Sequence, residues 1–129
     1  MNFKNQIETA VTFHEDETGE EVTNTYLATI LFPKSNPKTQ KTRLSQSKNR
    51  GIKLNKDQKD ALLACFPKIP LLFWAGDVET TRLIEALNLI RQRYTVDEIE
   101  ESPELNIIYI MLISGYYPKA LVNKYLKDK

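Results

Sequence analysis

From Asn55 onward, helix start and stop signals follow one another along the chain, and no other feature constrains the fold as tightly. Asn55-Lys-Asp-Gln58 places a capping residue three positions before a glutamine. Ala61, Leu62, Cys65 and Phe66 then fall at helical spacing before Pro67, which predicts a helix over 56–66. Asp77 is an N-cap with Glu79 in the positive first turn, and Leu83, Ile84, Leu87, Ile90 and Tyr94 share one face. Arg91 and Arg93 suit the negative last turn of a helix over 78–94. Thr95-Val-Asp-Glu98 is a capping box, and Ser102 with Pro103 restarts the chain as a helix through the apolar run 105–113. Apolar all round, that helix is expected at the centre of the core, with a strand as the competing assignment because four of its residues are β-branched isoleucines. Gly115 closes it, and Leu121, Val122 and Tyr125 mark a last amphipathic helix over 118–127.

The first third reads differently. Ile7–Phe13 and Val22–Phe32 are rich in β-branched and aromatic residues and flank the polar turn Glu15–Glu21. Alternation puts Ile7, Thr9, Val11 and Phe13 on one face of a first strand. Val22, Asn24, Tyr26, Ala28, Ile30 and Phe32 share a face of its partner, so a hairpin with an acidic tip is expected. Pro33 and Pro37 end the second strand. No helical stripe runs through 34–50, which reads as a basic loop or arm, with weak strand character at 41–45 and 51–54. Residues 68–76, apolar and broken by Pro70, fit either a buried strand or a connection that plugs the core.

Charge is strongly segregated beneath a total of only +1. Residues 1–33 carry one Lys against six acids, 34–59 carry nine Lys or Arg against Asp57 alone, and 60–129 carry eight against ten. The middle block therefore makes a local positive field. Phosphates suit cations that can neutralise several successive charges, and the interspersed Ser, Thr, Asn and Gln can donate further hydrogen bonds. The block has no Gly-Lys-Ser/Thr and no interleaved aromatics, so it predicts neither a nucleotide-cradling loop nor a base-stacking platform. A solvated loop, or one paired with the acidic tip of the same molecule, is the alternative.

The remaining residue types narrow the chemistry. One cysteine, Cys65, makes no internal disulfide, and with one histidine, His14, it leaves little for a zinc site. His14 and the acids after it do not match the alternating ligands of a calcium loop, and at an exposed tip nothing would tune them for acid–base work. Cys65 lies on an inward stripe, a structural thiol. Phe66, Phe73 and Trp74 read as core rather than as the lining of a ligand pocket, and no serine sits in a nucleophile elbow. An apolar helix, a Gly turn and a second helix over 108–126 predict an ordinary helical hairpin rather than a DNA-reading one. No segment has the pattern of a membrane span or a secretory signal, so a cytoplasmic protein is expected.

Together these features predict one α+β domain over 1–129, with an N-terminal antiparallel β-hairpin or small sheet packed against a C-terminal bundle of four or five helices. Its parts are the acidic-tipped hairpin 1–33, the basic arm 34–54 and the helical part 55–129. The expected function is non-enzymatic: a small nucleic-acid-binding protein contacting the DNA or RNA backbone through Lys38, Lys41, Arg43, Lys48, Arg50 and Lys53, with no metal or cofactor. The alternative is a protein-interaction module, an inhibitor, adaptor or assembly subunit, that presents its acidic and basic surfaces to a partner such as an acidic protein. A homo-oligomer joined through the same two surfaces is a third possibility.

Overall fold

Asn2, Thr23 and Asn36 each stand in extended conformation just before a helix. Each side chain accepts a hydrogen bond from the N–H three residues on: Asn5 to Asn2 at 2.9 Å, Tyr26 to Thr23 at 3.1 Å and Thr39 to Asn36 at 2.9 Å. Such a cap contributes about 1 kcal/mol. The helices they start are α1 (Phe3–Thr18), α2 (Asn24–Leu31) and α3 (Pro37–Arg50). The computed structural model describes residues 2–127; helix accounts for 75% of it, and no strand occurs among the described residues.

The expected α+β fold and its N-terminal hairpin are thus replaced by an all-helical architecture. In α1 the buried residues are Phe3, Gln6, Ile7, Ala10, Phe13 and His14, a helical stripe instead of the alternating set. In α2 they are Leu27, Ala28 and Leu31. The β-branched residues between cost only a few tenths of a kcal/mol each in a helix, which burial of such a stripe outweighs. The acidic segment is the end of α1 and its exit. Gly19, in left-handed conformation at φ 74°, closes the helix by donating to the Glu15 carbonyl at 2.8 Å. The basic loop or arm is also overturned: Pro37 is the first residue of α3, where its missing N–H costs nothing.

The chain divides into two compact units, Met1–Gly76 and Asp77–Lys129. In the first, α3 packs chiefly on α2 and also meets α1, while α4 (Lys56–Cys65) packs on α2 and on the short α5 (Leu71–Trp74). The capping box expected at Asn55 and Gln58 opens α4. Residues 71–74 are a helical turn instead of a strand or plain connection, burying Phe73 and Trp74. His14, Phe66, Phe73 and Trp74 form one aromatic cluster, with Phe66 and Phe73 each within 5.7 Å of the Trp74 ring system and His14 edge-on to Phe66 at 5.6 Å.

Two glutamines tie the unit together at the end of α2. Its carbonyls at Leu31 and Phe32 have no partner within the helix. Gln40 of α3 donates to the Phe32 carbonyl at 3.0 Å, and Gln58 of α4 donates to the Leu31 carbonyl at 3.2 Å. A third, Gln6 of α1, donates to the Phe73 carbonyl at 3.0 Å.

The second unit contains α6 (Val78–Arg93), α7 (Val96–Glu101), α8 (Pro103–Ile113), α9 (Lys119–Val122) and a π-helical turn over Asn123–Lys127. Asp77 and the Thr95/Glu98 capping box start α6 and α7 as expected. Leu105, Ile108 and Leu112 of α8 are buried, but Ile107, Ile110 and Ile113 are about half exposed, so α8 lies at the edge of its unit and not at the centre. Arg91 donates to the Tyr109 hydroxyl at 3.2 Å, and Arg93 donates to the Leu126 carbonyl. No helix among the described residues is long and apolar enough to cross a membrane.

Gln40→Leu keeps the volume but leaves the Phe32 carbonyl with the Ser35 N–H at 3.1 Å as its remaining donor, so urea unfolding is expected to show a loss of about 0.5–1.5 kcal/mol. At the other unit's entrance, the Asp77 carboxylate accepts from the Thr80 hydroxyl at 2.7 Å and the Thr80 N–H at 2.9 Å, which holds its pKa below the ordinary value. The stabilisation it gives is complete above the ordinary value of about 3.9 and is lost as pH falls through the depressed one. The thermal midpoint of the wild type should exceed that of Asp77→Ala at pH 6 and approach it at pH 2; an equal gap at both would remove the charged cap.

Candidate functional site

α3 has three inward residues, Gln40, Leu44 and Ser47, and only Leu44 is apolar. Placing the expected binding residues around this stripe splits them into two seams. Arg43 and Arg50, seven residues apart and therefore two turns apart on one side, border it on one edge. Lys41 and Lys48, also seven apart, border it on the other. Lys38 faces outward, and Lys53 follows the helix, joining the arginine seam.

Each seam lines a recess. Arg43, Arg50 and Lys53 share one of about 420 Å³ with Phe32, Gln46 and Asn55. Lys41 and Lys48 share the other, about 400 Å³, with Asn24, Thr25, Leu44 and Ser45. Two of the cations are held in place: the Arg43 guanidinium lies 4.9 Å over the Phe32 ring and donates to Ser35 Oγ at 3.1 Å. Lys48 Nζ donates to Asn24 Oδ1 at 2.8 Å. Lys38, Lys41, Arg50 and Lys53 make no ion pair or side-chain hydrogen bond among the described residues.

The acids do not neutralise this surface. Glu17 pairs with Lys68 at 3.2 Å and Glu20 lies 3.4 Å from His14 Nε2, whereas no Lys or Arg of residues 34–59 has an ion pair among the described residues. The cations therefore repel one another along α3. Lys48 and Arg50 gain from the negative helix end, but Lys38 stands in a first turn that has no acid. An anion laid against α3 would relieve that repulsion.

Elsewhere the chemistry is sparse. His14 is buried edge-on to Phe66 and not at an exposed tip, because residue 14 lies on the inward stripe of α1. No group of three His, Cys, Asp or Glu among the described residues is placed to hold a metal ion. Burial pushes the Cys65 thiol up from its ordinary value, which disfavours the thiolate. The indole N–H of Trp74 is buried without an acceptor among the described residues.

The interspersed polar residues of the sequence include Thr42, Ser45, Gln46 and Asn49, whose placement as an outward arc between the seams sequence reasoning missed, together with Asn24, which positions Lys48. Their signal was the four- and three-residue spacing of Gln40, Leu44 and Ser47, which is hard to read when two of three inward residues are polar. Comparisons with family models, with curated proteins and with solved structures found no match.

Gly51 turns the chain from α3 toward Lys53 at φ 85° and ψ 167°, a region open essentially to glycine alone. A Cβ there would meet no atom within 4 Å, so Gly51→Ala tests backbone strain by itself. It should cost about 1–3 kcal/mol in chemical unfolding.

Proposed function

We propose that the protein is a non-enzymatic nucleic-acid-binding protein that contacts the phosphate backbone through Lys38, Lys41, Arg43, Lys48, Arg50 and Lys53. The observation that carries it is the set of five cations on α3, four of them arranged as two seams and all left without acidic partners among the described residues. Phosphate chains supply what such a surface lacks, namely negative charges repeated at short intervals. On this reading the protein works in the cytoplasm, in contact with DNA or RNA. Fluorescence anisotropy of labelled single-stranded DNA, duplex DNA and RNA tests it. Engagement of all six cations should weaken binding by roughly a thousandfold between 50 and 200 mM salt. A variant with Lys41, Arg43, Lys48 and Arg50 changed to Glu should not bind. Salt-insensitive binding, or none to any polymer at low salt, would overturn the proposal.

A second reading, a protein-interaction module, is favoured by the exposed row Ile107, Ile110 and Ile113 of α8, continued by Tyr116. Exposed apolar groups at helical spacing suit a protein surface and not a phosphate chain. A mass above the monomer in light scattering that persists at high salt and is abolished by Ile110→Glu would support it; a monomeric wild type with no partner in cross-linking would not.

A further inference from the structure

The two seams of α3 do not adjoin; they stand on opposite sides of an outward arc whose one charged residue is Lys38. Thr42, Ser45, Gln46 and Asn49 all face outward there with Lys38, and no carboxylate lies among them. The Thr42 hydroxyl donates to the Lys38 carbonyl at 3.1 Å and keeps its acceptor side open. Amide and hydroxyl side chains of this kind can pair with base edges, Asn and Gln with adenine and Ser or Thr with several bases.

The dimensions agree with one receptor. An α-helix with its side chains is about 10–12 Å across, and the major groove of B-form DNA is about 12 Å wide. Seams on the two flanks of such a helix meet the two phosphate walls while the arc between them meets the floor. Within each seam the two α3 cations are seven residues apart, ~10.5 Å along the helix axis, so both can face the same groove wall. α2 precedes α3 and packs on it through the connection Phe32–Asn36, the order in which the second helix of a DNA-reading pair enters the groove and the first lies across the backbone. The connection is longer than the usual turn of such pairs and holds Pro33 where a glycine is common. Asn24 and Thr25, at the start of α2, share the recess of Lys41 and Lys48, as a helix lying across one backbone requires. A-form RNA has a deep, narrow major groove that admits no helix, and a single strand has no second wall.

We propose that α3 is a recognition helix that enters the major groove of duplex DNA. Thr42, Ser45, Gln46 and Asn49 face the base edges, Lys41 and Lys48 meet one phosphate wall, and Arg43, Arg50 and Lys53 meet the other. This rests on the backbone-binding proposal above, departs from it only in placing Lys38 with the arc, and adds to it the polymer and the groove.

The test uses the full chain and duplexes of one cytosine-containing sequence: plain DNA, DNA with glucosylated 5-hydroxymethylcytosine, and RNA. The glucose fills the major groove and leaves every phosphate in place. Plain DNA should bind at least tenfold tighter than the other two, and saturating the minor groove with netropsin should change the affinity less than twofold. Ser45→Tyr, on an exposed position, should weaken binding to plain DNA at least tenfold with unchanged circular dichroism and without affecting the residual binding to the glucosylated duplex. Equal affinity for plain and glucosylated DNA, tighter binding to the RNA duplex, or displacement by netropsin would overturn the groove assignment while salt-sensitive backbone binding stood. Absence of salt-sensitive binding to every duplex would overturn both.

Discussion

The last carbonyls of α2 decide how the first unit is assembled. A helix end leaves acceptors that cannot be buried unpaired without a cost of about 1–3 kcal/mol each. Here the Ser35 N–H reaches the Phe32 carbonyl locally, and the side chains of Gln40 and Gln58, from the two helices that follow, supply the remaining bonds. The same two hydrogen bonds therefore set α3 and α4 on either side of the α2 terminus. They also fix Phe32, whose ring then supports Arg43. Burying Gln40 in place of an apolar residue sacrifices some hydrophobic stabilisation and gains a defined placement of α3 on α2.

That placement has an electrostatic consequence. A helix whose inward stripe is mostly polar contributes little apolar burial, and the cations on its flanks repel one another. α3 is held by Leu44, by its polar contacts with α2 and by its packing on α1, and it is left with an unneutralised surface. Screening matters to such a surface: at physiological ionic strength the field fades over about 8 Å, so the cations act on groups laid directly against them rather than at a distance.

The helices from Asn55 onward were legible because their boundaries carry local chemistry: the capping boxes at Asn55/Gln58 and Thr95/Glu98, the aspartate before α6 and the Ser-Pro start of α8. The same kind of signal stood at Asn2, Thr23 and Asn36, yet the β-branched residues of 7–13 and 22–32 suggested alternation. The deciding residues were Phe3, Ala10 and His14, which complete a helical stripe that the alternating set leaves out. Within α3, Pro37 looked like a strand terminator because a proline at a first helical position has the same appearance as one that ends a segment. The positive charge of the candidate site was plain from the sequence, but its division into two seams depends on which residues of α3 face α2, and polar inward residues conceal that. For α8, uniform apolarity suggested burial on every side, whereas an edge position leaves three isoleucines partly in water.

Trp74, the chain's single tryptophan, sits in the aromatic cluster of the first unit, while five of the six tyrosines, all but Tyr26, belong to the second. Excitation at wavelengths absorbed by indole alone therefore reports only the half that carries α3. Tyrosine absorbance reports mainly the other half. The molecule thus contains its own pair of spectroscopic labels, by which melting of the two halves can be followed separately in one unmodified sample.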